Sequence, residues 1–105
     1  MDDSPEATLR MAREQVIGSF NEICEETRHA VRETPEAVTK SRDRVHRLAG
    51  IAGVVGLREV SDRALDLEAL LGEETCTPDR VDTAVDELKA ALASDLAAPP
   101  PPWVE

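Results

Sequence analysis

The chain has 105 residues, with 22 acidic and 12 basic side chains and a formal net charge of −10. This length fits one compact domain, and hydrophobic residues at 41% are enough for a core. Aromatic residues amount to 2%, so composition and charge exclude a base-stacking nucleic-acid platform and disfavour an anionic membrane surface. No apolar run approaches the roughly 20 residues of a membrane span, and the start Met1-Asp2-Asp3 is acidic where a secretory signal is basic. We therefore expect a cytoplasmic protein that binds neither nucleic acid nor membranes.

Three segments of the chain carry the same helix-start signal, which is a hydroxyl, a proline and a carboxylate in order. They are Ser4-Pro5-Glu6, Thr34-Pro35-Glu36 and Thr77-Pro78-Asp79. The hydroxyl can accept a hydrogen bond from a free N–H of the first turn, and proline has no N–H to leave unpaired. The acid then lies at the positive end of the helix dipole. The signal predicts helices that begin at each of these three prolines.

Helical periodicity follows each start signal and also follows Gly56. The first helix is expected from about Pro5 to Glu33, and Gly18 within it allows a bend or a break. The third is expected to run from about Leu57 to Leu71, with Gly72 as a left-handed terminating residue. The predicted core positions of the four helices, in chain order, are Leu9, Ala12, Val16, Phe20, Ile23 and Ala30; Val45, Leu48, Ile51, Ala52 and Val55; Leu57, Val60, Ala64, Leu67 and Leu71; and Val81, Ala84, Val85, Leu88, Ala91, Leu92 and Leu96.

The pattern predicts an all-α fold, because no stretch alternates with the period of two that a strand requires. Short loops between four amphipathic helices favour an antiparallel, up-down-up-down four-helix bundle over residues 1–98. Four consecutive prolines end the last helix, so residues 99–105 are predicted to form an extended polyproline tail. Trp103 in this tail either packs back on the bundle or serves as a peptide anchor.

The cysteines and histidines form no recognisable metal-ligand pattern in the sequence. Cys24 and Cys76 are far apart, and a cytoplasmic chain favours two free thiols over one disulfide. Cys24 lies beside the apolar stripe of the first helix and is expected in the core. A zinc site would require three or four ligands at short spacings, which His29 and His46 do not provide. We therefore predict no metal site.

The second helix carries the candidate functional residue, His46. On a helical wheel with about 100° per residue, Leu48, Ile51, Ala52 and Val55 cluster opposite His46, so its side chain should face solvent. The exposed side around it is expected to include Thr39, Arg42, Asp43, Ala49, Gly50 and Gly53.

Gly50 and Gly53 project within about 40° of His46 on that wheel. Each interior glycine costs a helix about 1 kcal/mol relative to alanine, and neither position is expected to fill core space. Bare backbone would allow another molecule to approach the imidazole closely. The alternative is that both are tolerated surface glycines.

Positive charge is concentrated near His46 in an otherwise acidic chain. Lys40, Arg42, Arg44 and Arg47 outweigh Asp43 within eight residues. Arg42 lies one turn before His46 and could donate to phosphoryl oxygens through its planar guanidinium. Pairing of Arg42 with Glu36 or Glu59 is the alternative interpretation.

The run His46-Arg47-Leu48-Ala49-Gly50, followed by Gly56 and later by Leu67-Glu68, resembles the histidine-containing phosphotransfer (HPt) domain. Ala49 stands where that family often has lysine, so Arg42 or Arg47 is expected to supply the cationic contact. Glu68, the carboxylate of this pattern, is interpreted as a solvated or bundle-edge residue.

The resemblance implies a phosphocarrier of phosphorelays. His46 would accept a phosphoryl group from the aspartate of a response-regulator receiver domain and pass it to another receiver, with a hybrid histidine kinase upstream. The predicted contacts are Arg42, Arg47, Ala49, Gly50 and Gly53. The sequence has neither a glycine-rich nucleotide loop nor a cluster of metal ligands. Magnesium is therefore expected in the partner receiver, with no cofactor and no autokinase activity in this chain, which by family would act as a monomer.

Two other functions are compatible with the sequence. One is a protein of the same fold that binds a kinase or receiver without transferring phosphoryl groups. The other is a purely structural bundle, which would leave Gly50 and Gly53 unexplained.

Overall fold

The structure, a computed structural model, describes residues 4–104 and consists of four helices. They are α1 (Pro5–Ala30), α2 (Pro35–Val54), α3 (Arg58–Leu71) and α4 (Pro78–Ala97). No strand occurs in these residues, which confirms the all-α prediction. The acidic N-terminal tripeptide and Glu105 lie outside the described residues. No helix of residues 4–104 combines the length and apolarity needed to cross a bilayer.

The three hydroxyl caps form as the sequence predicts. Each accepts a hydrogen bond from the backbone N–H three residues later, at 3.2 Å for Ser4, 3.1 Å for Thr34 and 3.3 Å for Thr77. Helix α3 has no such cap of its own. Instead, the Asp95 carboxylate of α4 accepts from two backbone N–H groups at the start of α3, at 3.2 and 2.8 Å. This contact satisfies amide groups that a helix start otherwise leaves unpaired.

Ion pairs between α1 and α4 join later residues of one helix to earlier residues of the other. On α1 and α4, Glu25 pairs with Lys89, whereas the later Arg32 pairs with the earlier Asp82. The helices contact one another in a ring, α1 with α2, α2 with α3, α3 with α4 and α4 with α1. The core therefore lies along a common axis, with one face of each helix left for solvent or partners.

Most predicted core positions are buried between the four helices, including Phe20, Val45, Leu67 and Leu88. Two predictions are wrong, because Ile51 is 44% exposed and Leu96 is 49% exposed. Ile51 lies at the edge of α2 beside a surface groove, and Leu96 lies in the last turn of α4.

Cys24 is fully buried and Cys76 partly buried, and both are free, as the sequence predicts. Burial raises the pKa of the Cys24 thiol to about 11. Burial also raises the pKa of Cys76. Cys24 is therefore a small core residue rather than a reactive nucleophile.

Among residues 4–104 the left-handed backbone position is Gly56, with φ of 82°, in the turn between α2 and α3. The prediction that Gly72 would adopt this conformation is wrong, since its φ is −89° and its ψ is −6°. Gly18 causes no break, because α1 continues through it.

The C-terminal tail packs against the end of the bundle where α1 begins and α2 ends. A Cβ atom at Gly56 would lie 2.6 Å from Cγ of Pro101, so the proline ring rests directly on the turn. Arg10 donates a hydrogen bond to the Trp103 carbonyl at 3.1 Å, and the indole packs partly buried on the core. This supports the interpretation that Trp103 packs back. The tail is not extended throughout, because the Val104 N–H donates to the Pro101 carbonyl at 3.0 Å and closes a turn.

Substitution Gly56→Ala tests the packing of this tail. We expect a loss of about 2 kcal/mol or more in unfolding free energy, from the left-handed backbone and from the contact with Pro101. In a chain shortened after Ala98, only the backbone cost of about 1 kcal/mol should remain. Urea unfolding of the four chains measures both values. Gly18→Ala is the control, because its Cβ would meet open space in mid-helix and should stabilise by about 0.5–1 kcal/mol. An equal loss with and without the tail would contradict this packing.

Candidate functional site

His46 lies in the middle of α2 with its imidazole turned to solvent. Its side chain is 67% exposed, whereas Leu48 and Ala52, on the opposite side of the helix, are buried. The apolar periodicity of α2 therefore positions the ring as the sequence predicts, facing away from the core. An imidazole placed in this way can be reached by another protein.

The Glu68 carboxylate of α3 holds one nitrogen of this imidazole. Nδ1 of His46 lies 3.0 Å from Oε1 and 2.9 Å from Oε2 of Glu68. An ionised carboxylate can only accept, so Nδ1 carries the hydrogen of the pair. In the neutral ring, Nε2 then keeps its lone pair, which is available to an electrophile outside the protein.

Sequence reasoning missed this role of Glu68, which was interpreted as a solvated or bundle-edge carboxylate. Its side chain is only 22% exposed and points at the imidazole across the α2–α3 seam. The Leu67-Glu68 pair was part of the family pattern and was the available signal. The sequence alone does not show which helix faces His46, whereas the packing of α2 against α3 does.

The α2–α3 seam is closely packed next to the site. The Ser61 hydroxyl donates to the Ala49 carbonyl at 2.8 Å, and the Ala49 side chain is 2% exposed. The prediction that Ala49 lies on the exposed side of α2 is therefore wrong, because α3 covers this residue. Gly53 is exposed, but a Cβ there would lie 3.2 Å from the Ser61 Oγ, so close helix approach accounts for this glycine.

Gly50 is the glycine that leaves open space beside His46. A Cβ atom at this position would have nothing within 4 Å. His46 and Gly50 line two depressions at once, a groove of about 730 Å³ between α1 and α2 and a smaller one of about 360 Å³ toward α3. His46 therefore projects between the two depressions, and Gly50 leaves the surface on its C-terminal side without a side chain.

The groove between α1 and α2 is mainly apolar. Ile51 and Val54 line it and are 44% and 68% exposed, and Leu9 and Ala12 close it from α1. Arg47 also lines this groove and is exposed. An apolar surface with a cation at its edge, next to a nucleophilic nitrogen, is a surface that a folded partner can cover.

The basic side chains near His46 face different neighbours. Arg44 is paired with Glu26 of α1. The Arg42 guanidinium lies over Gly72 at the end of α3, where a Cβ would come within 2.9 Å of its Cζ and Nη2 atoms. The alternative pairing of Arg42 with Glu36 or Glu59 does not form, because Glu59 instead pairs with Ser94 and Arg42 has no ion pair within residues 4–104.

An exposed histidine on a four-helix bundle, with one ring nitrogen held by a carboxylate and the other directed outward, has the geometry that a histidine phosphocarrier requires. The family model described as "Hpt domain" matches residues 11–97. The chain belongs to the Hpt family. Hpt domains carry phosphoryl groups in the phosphorelays of two-component signalling and interact with response-regulator receivers and histidine kinases. Comparison with curated proteins and with solved structures gives no match.

Substitution Glu68→Ala tests the orientation of the imidazole. We expect wild-type His46 to carry its hydrogen on Nδ1, and the variant to lose this preference because the acceptor is gone. Nitrogen-15 NMR of the ring distinguishes the two tautomers, and the reactivity of Nε2 toward phosphoramidate, a small phosphoryl donor, should fall by about ten-fold. Asp62→Ala, at an exposed position of α3, is the control and should change neither measurement. An unchanged tautomer in Glu68→Ala would show that the carboxylate does not position the ring.

Proposed function

We propose that this chain is a phosphorelay intermediate that accepts a phosphoryl group on Nε2 of His46 from the aspartyl phosphate of a receiver domain. It then passes the group to the aspartate of another receiver. The observation that carries the proposal is the contact between Nδ1 and Glu68 on an otherwise exposed ring. In the neutral ring this contact places the hydrogen on Nδ1, which leaves Nε2 with its lone pair directed outward.

In the transfer step the lone pair of Nε2 attacks phosphorus, and the bond between phosphorus and the aspartate oxygen breaks. The electron pair of that bond leaves with the aspartate, which becomes a carboxylate. The ring gains a positive charge because Nδ1 keeps its hydrogen, and the Glu68 carboxylate stabilises that charge at hydrogen-bond distance. Return of the phosphoryl group to a second aspartate reverses each change. The positive charge that the ring gains when it accepts the phosphoryl group is therefore lost again when the group leaves.

The receiver supplies the rest of the chemistry under this proposal. Phosphoryl transfer depends on in-line positioning and on stabilisation of the charge on the phosphoryl oxygens. Magnesium and an acidic pocket belong to the receiver, and this chain needs no cofactor and performs no autophosphorylation from ATP. One chain carries the nucleophile, its positioning carboxylate and a docking surface, which supports action as a monomer.

The apolar groove between α1 and α2 is the proposed docking surface for receivers and for a hybrid histidine kinase. Ile51 and Val54 offer apolar area, and Arg47 at the groove edge suits the acidic surroundings of a receiver aspartate. Gly50 offers the clearance that lets the partner approach Nε2. Gly53, the other exposed glycine of α2, is assigned to helix packing rather than to partner contact.

Incubation with radiolabelled phospho-receivers of the source organism tests the function. We expect transfer of label to this chain as an acid-labile, base-stable phosphohistidine, and complete loss of label in His46→Gln. Binding of a phospho-receiver without label on the wild-type chain would instead identify a regulator of the same fold that does not transfer. Label that persists in His46→Gln would overturn the assignment of the acceptor.

Substitution Gly50→Leu tests docking separately from chemistry. We expect transfer from a phospho-receiver to fall at least about ten-fold, because the larger side chain prevents close approach of the partner. Phosphorylation by phosphoramidate, a small donor that needs no docking, should remain within about two-fold. Gly18→Leu is the matched control, since it adds the same side chain at another open helical position and should leave both reactions unchanged. Equal loss with both donors would point to damage at His46 itself.

A further inference from the structure

We propose that the C-terminal tail positions the docking groove for receivers, because it holds the N-terminal part of α1 where α4 no longer covers that helix. This inference rests on the proposed function and concerns a segment that the family match, over residues 11–97, does not include. The described part of the tail is residues 99–104. The groove is the apolar one between α1 and α2, which Leu9 and Ala12 close from α1.

Helix α4 ends before it has covered the whole of α1. Two ion pairs show the register of these helices, Arg28 with Asp86 and Arg32 with Asp82. Four residues later on α1 thus correspond to four residues earlier on α4. Continued at this step, Ala97 at the end of α4 lies level with Ile17. Residues 5–16, the N-terminal part of α1, therefore extend beyond α4.

The tail packs along this uncovered part of α1. Arg10 donates a hydrogen bond to the Trp103 carbonyl at 3.1 Å, and the indole packs partly buried on the core. A continued α4 would bring residue 104 level with Arg10, so Trp103 lies close to the line that α4 would have followed. The four prolines suit a segment without a helix, because proline has a fixed φ and no N–H to leave unpaired.

Pro101 of the tail and Arg13 of α1 lie together over the turn that follows α2. Arg13 is 7% exposed, and its Nη1 donates to the Val55 carbonyl at 3.0 Å, at the negative end of the α2 dipole. A Cβ atom at Gly56 would lie 2.6 Å from Cγ of Pro101 and 3.8 Å from Nη1 of Arg13. The proline ring thus helps to bury the hydrogen bond that joins α1 to the end of α2, and burial strengthens that bond.

The residues of α1 beside the tail are sequence neighbours of the residues that line the groove. Arg10 and Arg13 each directly follow a groove residue of α1, and these groove residues are Leu9 and Ala12. No residue from 99 to 104 lines the groove, so the tail lies behind the α1 wall and leaves the groove open. The tail therefore restricts the wall without competing with a partner. A wall that is already ordered lowers the free-energy cost of binding.

The full-length variant Trp103→Ala tests this role of the tail. Rapid-mixing measurements of label transfer over a range of phospho-receiver concentrations give the half-saturating concentration and the maximal rate constant. We expect the half-saturating concentration to rise about five-fold, because the α1 wall is less ordered before the partner binds. The maximal rate constant and the reaction with phosphoramidate should stay within about two-fold, since His46 is held by Glu68 between α2 and α3.

Three further full-length variants separate positioning of the groove from a general loss of stability. Trp103→Phe should recover part of the affinity, because a smaller aromatic ring can still pack on the core. Pro100→Ala, at an exposed position of the tail, should match wild type. Thr77→Ala removes the cap of α4 at the opposite end of the bundle, and should lower the melting temperature without changing the half-saturating concentration. An equal rise in Thr77→Ala and Trp103→Ala would overturn the proposal.

Amide hydrogen exchange measures the order of the α1 wall directly. In Trp103→Ala we expect protection over residues 9–16 to fall at least about ten-fold, because local opening of this part of α1 becomes easier. Protection in the middle of α2 and in α3 should match wild type. A uniform loss of protection in all four helices would contradict a local role of the tail.

The outcomes keep the role of the tail apart from the function on which it rests. If wild-type His46 accepts label from neither phosphoramidate nor a phospho-receiver, the proposed function itself fails. If wild type is labelled and Trp103→Ala has the same half-saturating concentration, only the role of the tail is overturned. Tighter docking in Trp103→Ala would also overturn it, because the tail would then obstruct the groove.

Discussion

The hydrogen bond between Nδ1 of His46 and the Glu68 carboxylate is the contact on which the site depends. It commits one ring nitrogen to the protein and thereby leaves the other for chemistry with a partner. The bond forms only if α2 and α3 keep one register, because a shift by a single residue would rotate either side chain away. That register is supported next to the site, where Ser61 donates to the Ala49 carbonyl and Gly53 allows the two helices to approach. Close packing between α2 and α3 thus determines which nitrogen of the imidazole is available to a partner.

Much of the fold was predictable because its determinants are local. The hydroxyl-proline-acid segments act within one helical turn, and they mark three helix starts correctly. Apolar spacing likewise identified the buried face of each helix and placed His46 on the opposite one. The start of α3 has no such local signal. Its amide groups are satisfied by Asp95, which lies more than thirty residues away in the sequence.

The errors at the site arose because a helical wheel places a side chain without placing its neighbours. Ala49 and Ile51 lie on opposite flanks of α2, and the wheel alone made the first exposed and the second buried. Packing reverses both, because α3 covers Ala49 while the groove toward α1 stays open beside Ile51. The prediction for Gly72 was wrong for a related reason. Its position at the end of a helix suggested a left-handed backbone, whereas the structure places the Arg42 guanidinium over it.

The two flanks of His46 differ in a way that suits a carrier. The flank toward α1 is apolar and open and suits contact with a protein surface, whereas the flank toward α3 carries the Glu68 carboxylate that holds the ring. A carrier must exchange the same group with at least two partners, so its chemistry has to be independent of which partner is bound. Separation of the flanks permits this, because residues such as Val54 can adapt to different partners while the contact that holds the ring stays the same. Selection among receivers would then act on α1 and the outer edge of α2, and the seam between α2 and α3 would stay constrained by the reaction.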